Sequence, residues 1–242
     1  MAPVRARRRW LLAAALVVAP ACTTAASDEL TLPSLPALPP LLPAPTAPPP
    51  EPAPPAPTGR VVVDQAWTPF ATVGGVHLVH PSSRVERVGF HESNHDGARQ
   101  LEPLPTAVAA TTLESRGRRT GPRTAADVVA DPAVEIRAPV TGRVKRAGTY
   151  VLYCDHRDDY VVIEPDQRPG WEVKLLHIHG VQVGRGDRVV AGRTVVALHP
   201  TQLPFESQVD EVSADRPAWP HVHIEVVDPS IRDRPSPGGG CK

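Results

Sequence analysis

Aromatic side chains are scarce, with four Trp, three Tyr and three Phe in 242 residues. A folded core must therefore be built from aliphatic side chains. Lysine stands only at positions 145, 174 and 242, so nearly all basic charge is arginine, and the 26 basic and 26 acidic side chains cancel. No basic stripe points to a nucleic-acid partner. The apolar run from Leu11 to Val18 is too short for a comfortable membrane span, and no tandem repeat of fixed period is present. There are three cysteines, Cys22, Cys154 and Cys241.

What is present falls into zones. Arg5, Arg7, Arg8 and Arg9 precede the short apolar run, the pattern of an export signal. Ala19, Pro20 and Ala21 then lead into Cys22, which resembles the lipobox of bacterial lipoproteins and implies a lipidated Cys22 and a membrane anchor on the outer face of the cell membrane. The alternative is an ordinary cleaved signal in which Cys22 is incidental. Residues 1–22 are thus the signal, and residues 23–59, with "APTAPPPEPAPPAPTG", a proline-rich tether. Such chain favours extended geometry at about 3.1 Å per residue, long enough to hold a domain several tens of Å from an anchor. In an exported chain the even pair Cys154 and Cys241 is expected to form a disulfide once Cys22 carries lipid, the other possibility being two unrelated thiols.

From Arg60 the apolar residues come in short valine-rich runs broken by Gly, Pro and Asp, such as "RVERVGFH", "YVVIEP" and "HVHIEVVD". These are strand lengths with turn punctuation, and the expectation is a mainly β, antiparallel protein. A β-rich extension covers 60–115, the main domain 116–230 and a tail 231–242. Only "TAADVVAD" and "PLPTAVAATTLES" read as weakly helical. "APVTGRVKRAG" and "VGRGDRVVAGRTVVAL" read as hairpins bent at Gly142, Gly184, Gly186 and Gly192.

In "WPHVHIEVVD" alternation places His221, His223 and Glu225 on one strand face and Val222, Ile224 and Val226 on the other. Two neutral imidazoles on one face can offer nitrogens to zinc or move a proton, although an H-x-H on a strand is also compatible with a plain solvated face.

Taken in order, "RAPVTGRV", "KLLHIHGVQVGRGDRVVAGRTV" and "PHVHIEVVDP" resemble the blocks of the lysostaphin-like zinc endopeptidases that cut peptidoglycan cross-bridges, over about residues 116–230. The resemblance implies an antiparallel, sandwich-like β fold (a duplicated hybrid motif), zinc, and peptidoglycan peptides as partner. It implies His223 and Asp127 as zinc ligands and His177 and His221 as catalytic histidines. It also implies a histidine ligand four residues before Asp127, where this chain has Arg123. A guanidinium stays protonated and cannot coordinate zinc.

A substitute lies upstream in "GFHESNHDGARQ", where His91, Asn94, His95 and Asp96 concentrate potential ligands, with His91 or His95 as the borrowed third ligand; the same letters also make a polar turn. His179 reads as a rim residue or a spare ligand beside His177 on the same strand face, "ESRGRRTGPR" as an anion-binding run or a solvated loop, and "CDHRDDY" around His156 as a turn. Two functions follow: an envelope zinc peptidase, or a zinc-free peptidase-like domain that binds peptidoglycan or regulates another cell-wall hydrolase.

Overall fold

The valine-rich runs do become strands, since β-branched side chains fit a pleated, half-buried surface. The computed structural model describes residues 60–64, 67–213 and 219–234. The signal, the tether, Cys22 and Cys241 lie outside the described residues. In chain order the strands are β1 (Val63–Asp64), β2 (Pro69–Val73), β3 (Val76–Val79), β4 (Arg84–His91), β5 (Glu102–Pro103), β6 (Ala109–Thr112) and β7 (Ala125–Ala130). They continue as β8 (Ile136–Arg137), β9 (Gly142–Leu152), β10 (His156–Pro165), β11 (Glu172–Val181), β12 (Arg188–Val189), β13 (Val195–Pro200) and β14 (His221–Val227). A 3₁₀ helix spans Gln208–Val212, and no α-helix occurs among the described residues.

Eleven strands form one large sheet in the order β1-β4-β7-β14-β11-β10-β9-β12, with β13 beside β11, β8 beside β13 and β6 parallel to β4. A small antiparallel sheet, β3-β2-β5, lies apart from it. Residues 60–115 supply β1, β4 and β6 to the same large sheet that β7 to β14 build. One apolar cluster joins Phe70, Val76 and Leu78 of the small sheet to Val88, Val128, Leu175, Val222 and Ile224 of the large one. Val222, Ile224 and Val226 have no exposed surface, so one face of β14 is committed to this core. The opposite face is left for polar side chains.

Two local readings change. "TAADVVAD" is strand β7, not a helix, because Val128 and Val129 are buried between β4 and β14, and that packing outweighs a weak local preference. "PLPTAVAATTLES" contributes strand β6. The two expected hairpins do not form either: β8 pairs with β13, and β9 with β10 and β12. Gly142 is needed for close approach, since a Cβ there would stand 2.1 Å from the carbonyl oxygen of Glu164.

Candidate metal centre

Side chains directly paired across antiparallel strands share a face, and His223 of β14 pairs with Asp127 of β7. On the other side of β7, Asp127 pairs with Gly89 of β4, so His91, two residues further along β4, projects to that same face. Three adjacent strands thus bring one potential metal ligand each to one spot. His91 Nε2 lies 3.0 Å and His223 Nδ1 2.9 Å from the same oxygen, Asp127 Oδ1. The three ligand atoms all fall within 4.8 Å of one another.

His91 Nδ1 lies 3.0 Å from the Glu92 carbonyl, which can only accept, so Nδ1 carries a proton and Nε2 is the nitrogen available to face a cation. That Nε2 is buried and faces the Asp127 carboxylate oxygen at 3.0 Å, at an angle outside good hydrogen-bond geometry, with no other partner among the described residues. A nitrogen this close to an anionic oxygen needs positive charge between or beside them, either a proton on the ring or a metal ion held by both. Ligands at about 2.0–2.1 Å around a tetrahedral zinc stand about 3.3 Å from one another, near the 3.0 and 2.9 Å that separate Asp127 Oδ1 from the two imidazole nitrogens. Two imidazole nitrogens and one carboxylate oxygen, with a fourth position open, match the donor set of a catalytic zinc site.

The surroundings hold these ligands in place. The Glu92 carboxylate accepts from Ser115 Oγ at 2.7 Å and from the backbone N–H groups of Arg116 and Arg118 at 3.1 and 2.8 Å. Ser93 N–H donates to Thr124 Oγ1 at 2.8 Å, and Ser93 Oγ to Glu225. Glu225 also takes Lys174 Nζ at 2.9 Å and lies 3.8 Å from His223 Nε2, a carboxylate behind a ligand imidazole. Burial alone would raise the Glu225 carboxyl, but His223 and Lys174 hold it far below the usual carboxylate range. Burial would likewise lower His223, yet Asp127 and Glu225 raise it to about 9. Carboxylates that favour a proton on this ring favour a divalent cation beside it in the same way.

His177 and His221 stand next to the cluster. Their ring centroids are 5.1 Å apart, and His177 is 5.9 Å from His223. Burial pushes His221 down to about 4, so it is neutral at pH 7, with its Nε2 3.7 Å from Asp127 Oδ2. His177 sits at a bulge: Asp159 pairs with Ile178 and Tyr160 with Leu176, leaving His177 as the extra residue, with φ 61°. Here β11 changes partner from β14 to β13. The bulge also ends the simple alternation along β11. His179 is exposed and stacks on His199 at 5.0 Å, outside the groove.

A groove of about 420 Å³ opens over these side chains, lined further by Leu152, Tyr153, Leu203, Phe205, Arg116 and Arg118. His95 reaches its edge but turns to Asp233 at 3.9 Å, in a tight turn where its Nδ1 accepts Gly97 N–H. "GFHESNHDGARQ" is thus a strand end at His91 followed by a turn. Arg123 points elsewhere, its Nε donating to the Leu101 carbonyl at 3.2 Å. "CDHRDDY" is largely strand β10, and reading it as a turn hid Asp158, a buried carboxylate 2.6 Å from His177 Nδ1. Cys154, at the β9–β10 tip, is disulfide-bonded, and Cys22 and Cys241 lie outside the described residues. Comparison with protein-family models, curated proteins and solved structures returns no match for this chain.

Proposed function

We propose that this protein is a cell-envelope lipoprotein whose β domain is a zinc metalloendopeptidase of the lysostaphin-like kind, cutting peptide cross-links of peptidoglycan. The observation that carries the reading is the convergence of buried His91 Nε2 and His223 Nδ1 on one oxygen, Asp127 Oδ1, at 3.0 and 2.9 Å. In this reading His91 takes the place of the histidine that Arg123 replaces. The ligand has moved from the residue four before Asp127 to the neighbouring strand. His91, Asp127 and His223 would hold zinc, which when bound lowers the pKa of water toward about 7 and polarises an amide carbonyl.

The chain's own groups do the rest. The groove binds an extended peptide, with Tyr153 and Phe205 as apolar contacts and Arg116 and Arg118 as carboxylate contacts. Neutral His221 offers a hydrogen bond toward the carbonyl oxygen as charge develops on it. His177 accepts the proton of the attacking water and returns it to the leaving amine. Lipid on Cys22 and the tether at 23–59 would place this groove near the wall, on the outer face of the membrane.

Arg123 also supports a second reading, a zinc-free domain that binds peptidoglycan or regulates another wall hydrolase. Metal analysis of the mature protein separates the two. The peptidase reading expects one zinc per chain at neutral pH, release of peptides from purified peptidoglycan, and loss of membrane attachment in Cys22→Ala. Absence of zinc from the wild type, together with zinc binding by Arg123→His, would establish the second reading instead.

A further inference from the structure

We infer that Asp158, assisted by Tyr150, is the positioning residue of the site: it locks His177 as the Nδ1–H tautomer and presents Nε2 to the groove as the proton acceptor. A single oxygen of Asp158 carries this. Asp158 Oδ2 accepts the His177 backbone N–H at 3.0 Å and lies 2.6 Å from His177 Nδ1. Tyr150 OH donates to the same oxygen at 2.6 Å. The other oxygen, Oδ1, is occupied by the Asp159 backbone N–H at 2.9 Å. Asp158 is 4% exposed, and none of its contacts involves His91, Asp127 or His223.

A carboxylate needed only to hold the bulge would require the backbone bond alone. Here it binds the backbone and the ring of the same residue, at a φ of 61° that glycine adopts freely and histidine at a cost. The ring is therefore fixed in rotation as well as in place. With Nδ1–H committed to Asp158, the neutral ring carries its lone pair on Nε2, the nitrogen away from Asp158, and His177 lines the groove. Burial alone would raise the Asp158 carboxyl, but hydrogen bonds from His177 and Tyr150 keep it below its ordinary value, so an anion stands behind the imidazole.

The catalytic consequence rests on the peptidase reading. As the water oxygen bonds to the amide carbon, one water proton passes to His177 Nε2, and Asp158 steadies the imidazolium without taking the proton. When the C–N bond breaks, that proton passes to the departing nitrogen. The second water proton stays with the new carboxylic acid, which then ionises. Asp158 begins and ends as a carboxylate.

The test uses the full-length chain, zinc-loaded and ¹⁵N-labelled at histidine, with long-range ¹H–¹⁵N correlation to read the His177 tautomer. The wild type should show protonated Nδ1, with the downfield proton of an N–H held by a carboxylate. In Asp158→Asn that proton should lose its downfield shift, zinc content should be unchanged, and kcat on a cross-linked muropeptide should fall on the order of 10²-fold or more, with KM within about threefold. Tyr150→Phe should keep the tautomer. An Nε2–H tautomer in the wild type, an unmoved proton in Asp158→Asn, or wild-type kcat in that variant would overturn the inference. Should Asp158→Asn fail to fold, the wild-type and Tyr150→Phe tautomers decide. If the wild type cleaves nothing, the peptidase reading falls, while the tautomer measurement still judges the role of Asp158.

Discussion

Replacing His91 by alanine removes one of the three ligand atoms proposed for zinc, and its cost can be estimated. Zinc binding at sites with four strong protein ligands is worth about 10–16 kcal/mol at neutral pH, or roughly 2.5–4 kcal/mol for each ligand. At about 1.4 kcal/mol per tenfold change, His91→Ala should weaken zinc binding by about 10²–10³-fold. Water entering the vacated corner recovers part of this, which favours the lower end. Competition against a chromophoric chelator at pH 7 measures it directly. At a zinc concentration 100 times the wild-type Kd, the wild type gains about 2.7 kcal/mol of folding stability, and the variant should gain almost none of it. His95→Ala is the control, because His95 turns to Asp233 at 3.9 Å and is outside the ligand cluster. Arg123→His should change the affinity little, since His91 already fills that corner. Equal zinc affinity in wild type and His91→Ala, or an equal loss in His95→Ala, would refute the assignment.

Three further outcomes follow from other parts of the molecule. His80 is fully buried against Phe70, and burial pushes it from 6.5 down to about 4; the unfolded chain alone takes up the proton between those values, so stability present above pH 6.5 is lost as pH falls toward 4. The loss is about 3 kcal/mol at most, and His80→Leu should flatten the pH dependence of thermal unfolding in that window, whereas an unchanged slope would contradict the assignment. A Cβ at Gly89 would stand 2.8 Å from Val209 Cγ2 and 3.0 Å from Leu113 Cδ1, so Gly89→Ala should cost about 1–3 kcal/mol in urea unfolding, and a neutral result would show that the 3₁₀ helix yields freely. Thiol titration of the unfolded, unreduced mature protein should find neither Cys154 nor Cys241 free; two free thiols would exclude the bridge between them.

Strand content was legible in the sequence because alternation is a local property. In "HVHIEVVD" each side chain's face follows from its neighbours, so His221, His223 and Glu225 fall opposite the core-facing Val222, Ile224 and Val226 without reference to the rest of the chain. The same holds for the valine runs that make the protein mainly β. Pairing is a different matter. That His91 stands beside Asp127 depends on the register of β4 against β7, and a slip of one residue would turn His91 to the other face. No local pattern distinguishes those two outcomes. The segment around Asp127 reads as weakly helical in isolation and is a strand only because β4 and β14 flank it.

His177 and Asp158 mark the same division. The sequence by itself determined which residue types were available: histidines in strand runs, an arginine four residues before Asp127, and carboxylates in "CDHRDDY". The tertiary structure alone decided that β11 bulges at His177, that His179 consequently leaves the groove, and that Asp158 on β10 meets the ring from behind. The physical reason is that composition and periodicity act through near neighbours along the chain. Ligand geometry is instead set by hydrogen-bonded ladders between segments far apart in sequence, whose register only the packed sheet fixes.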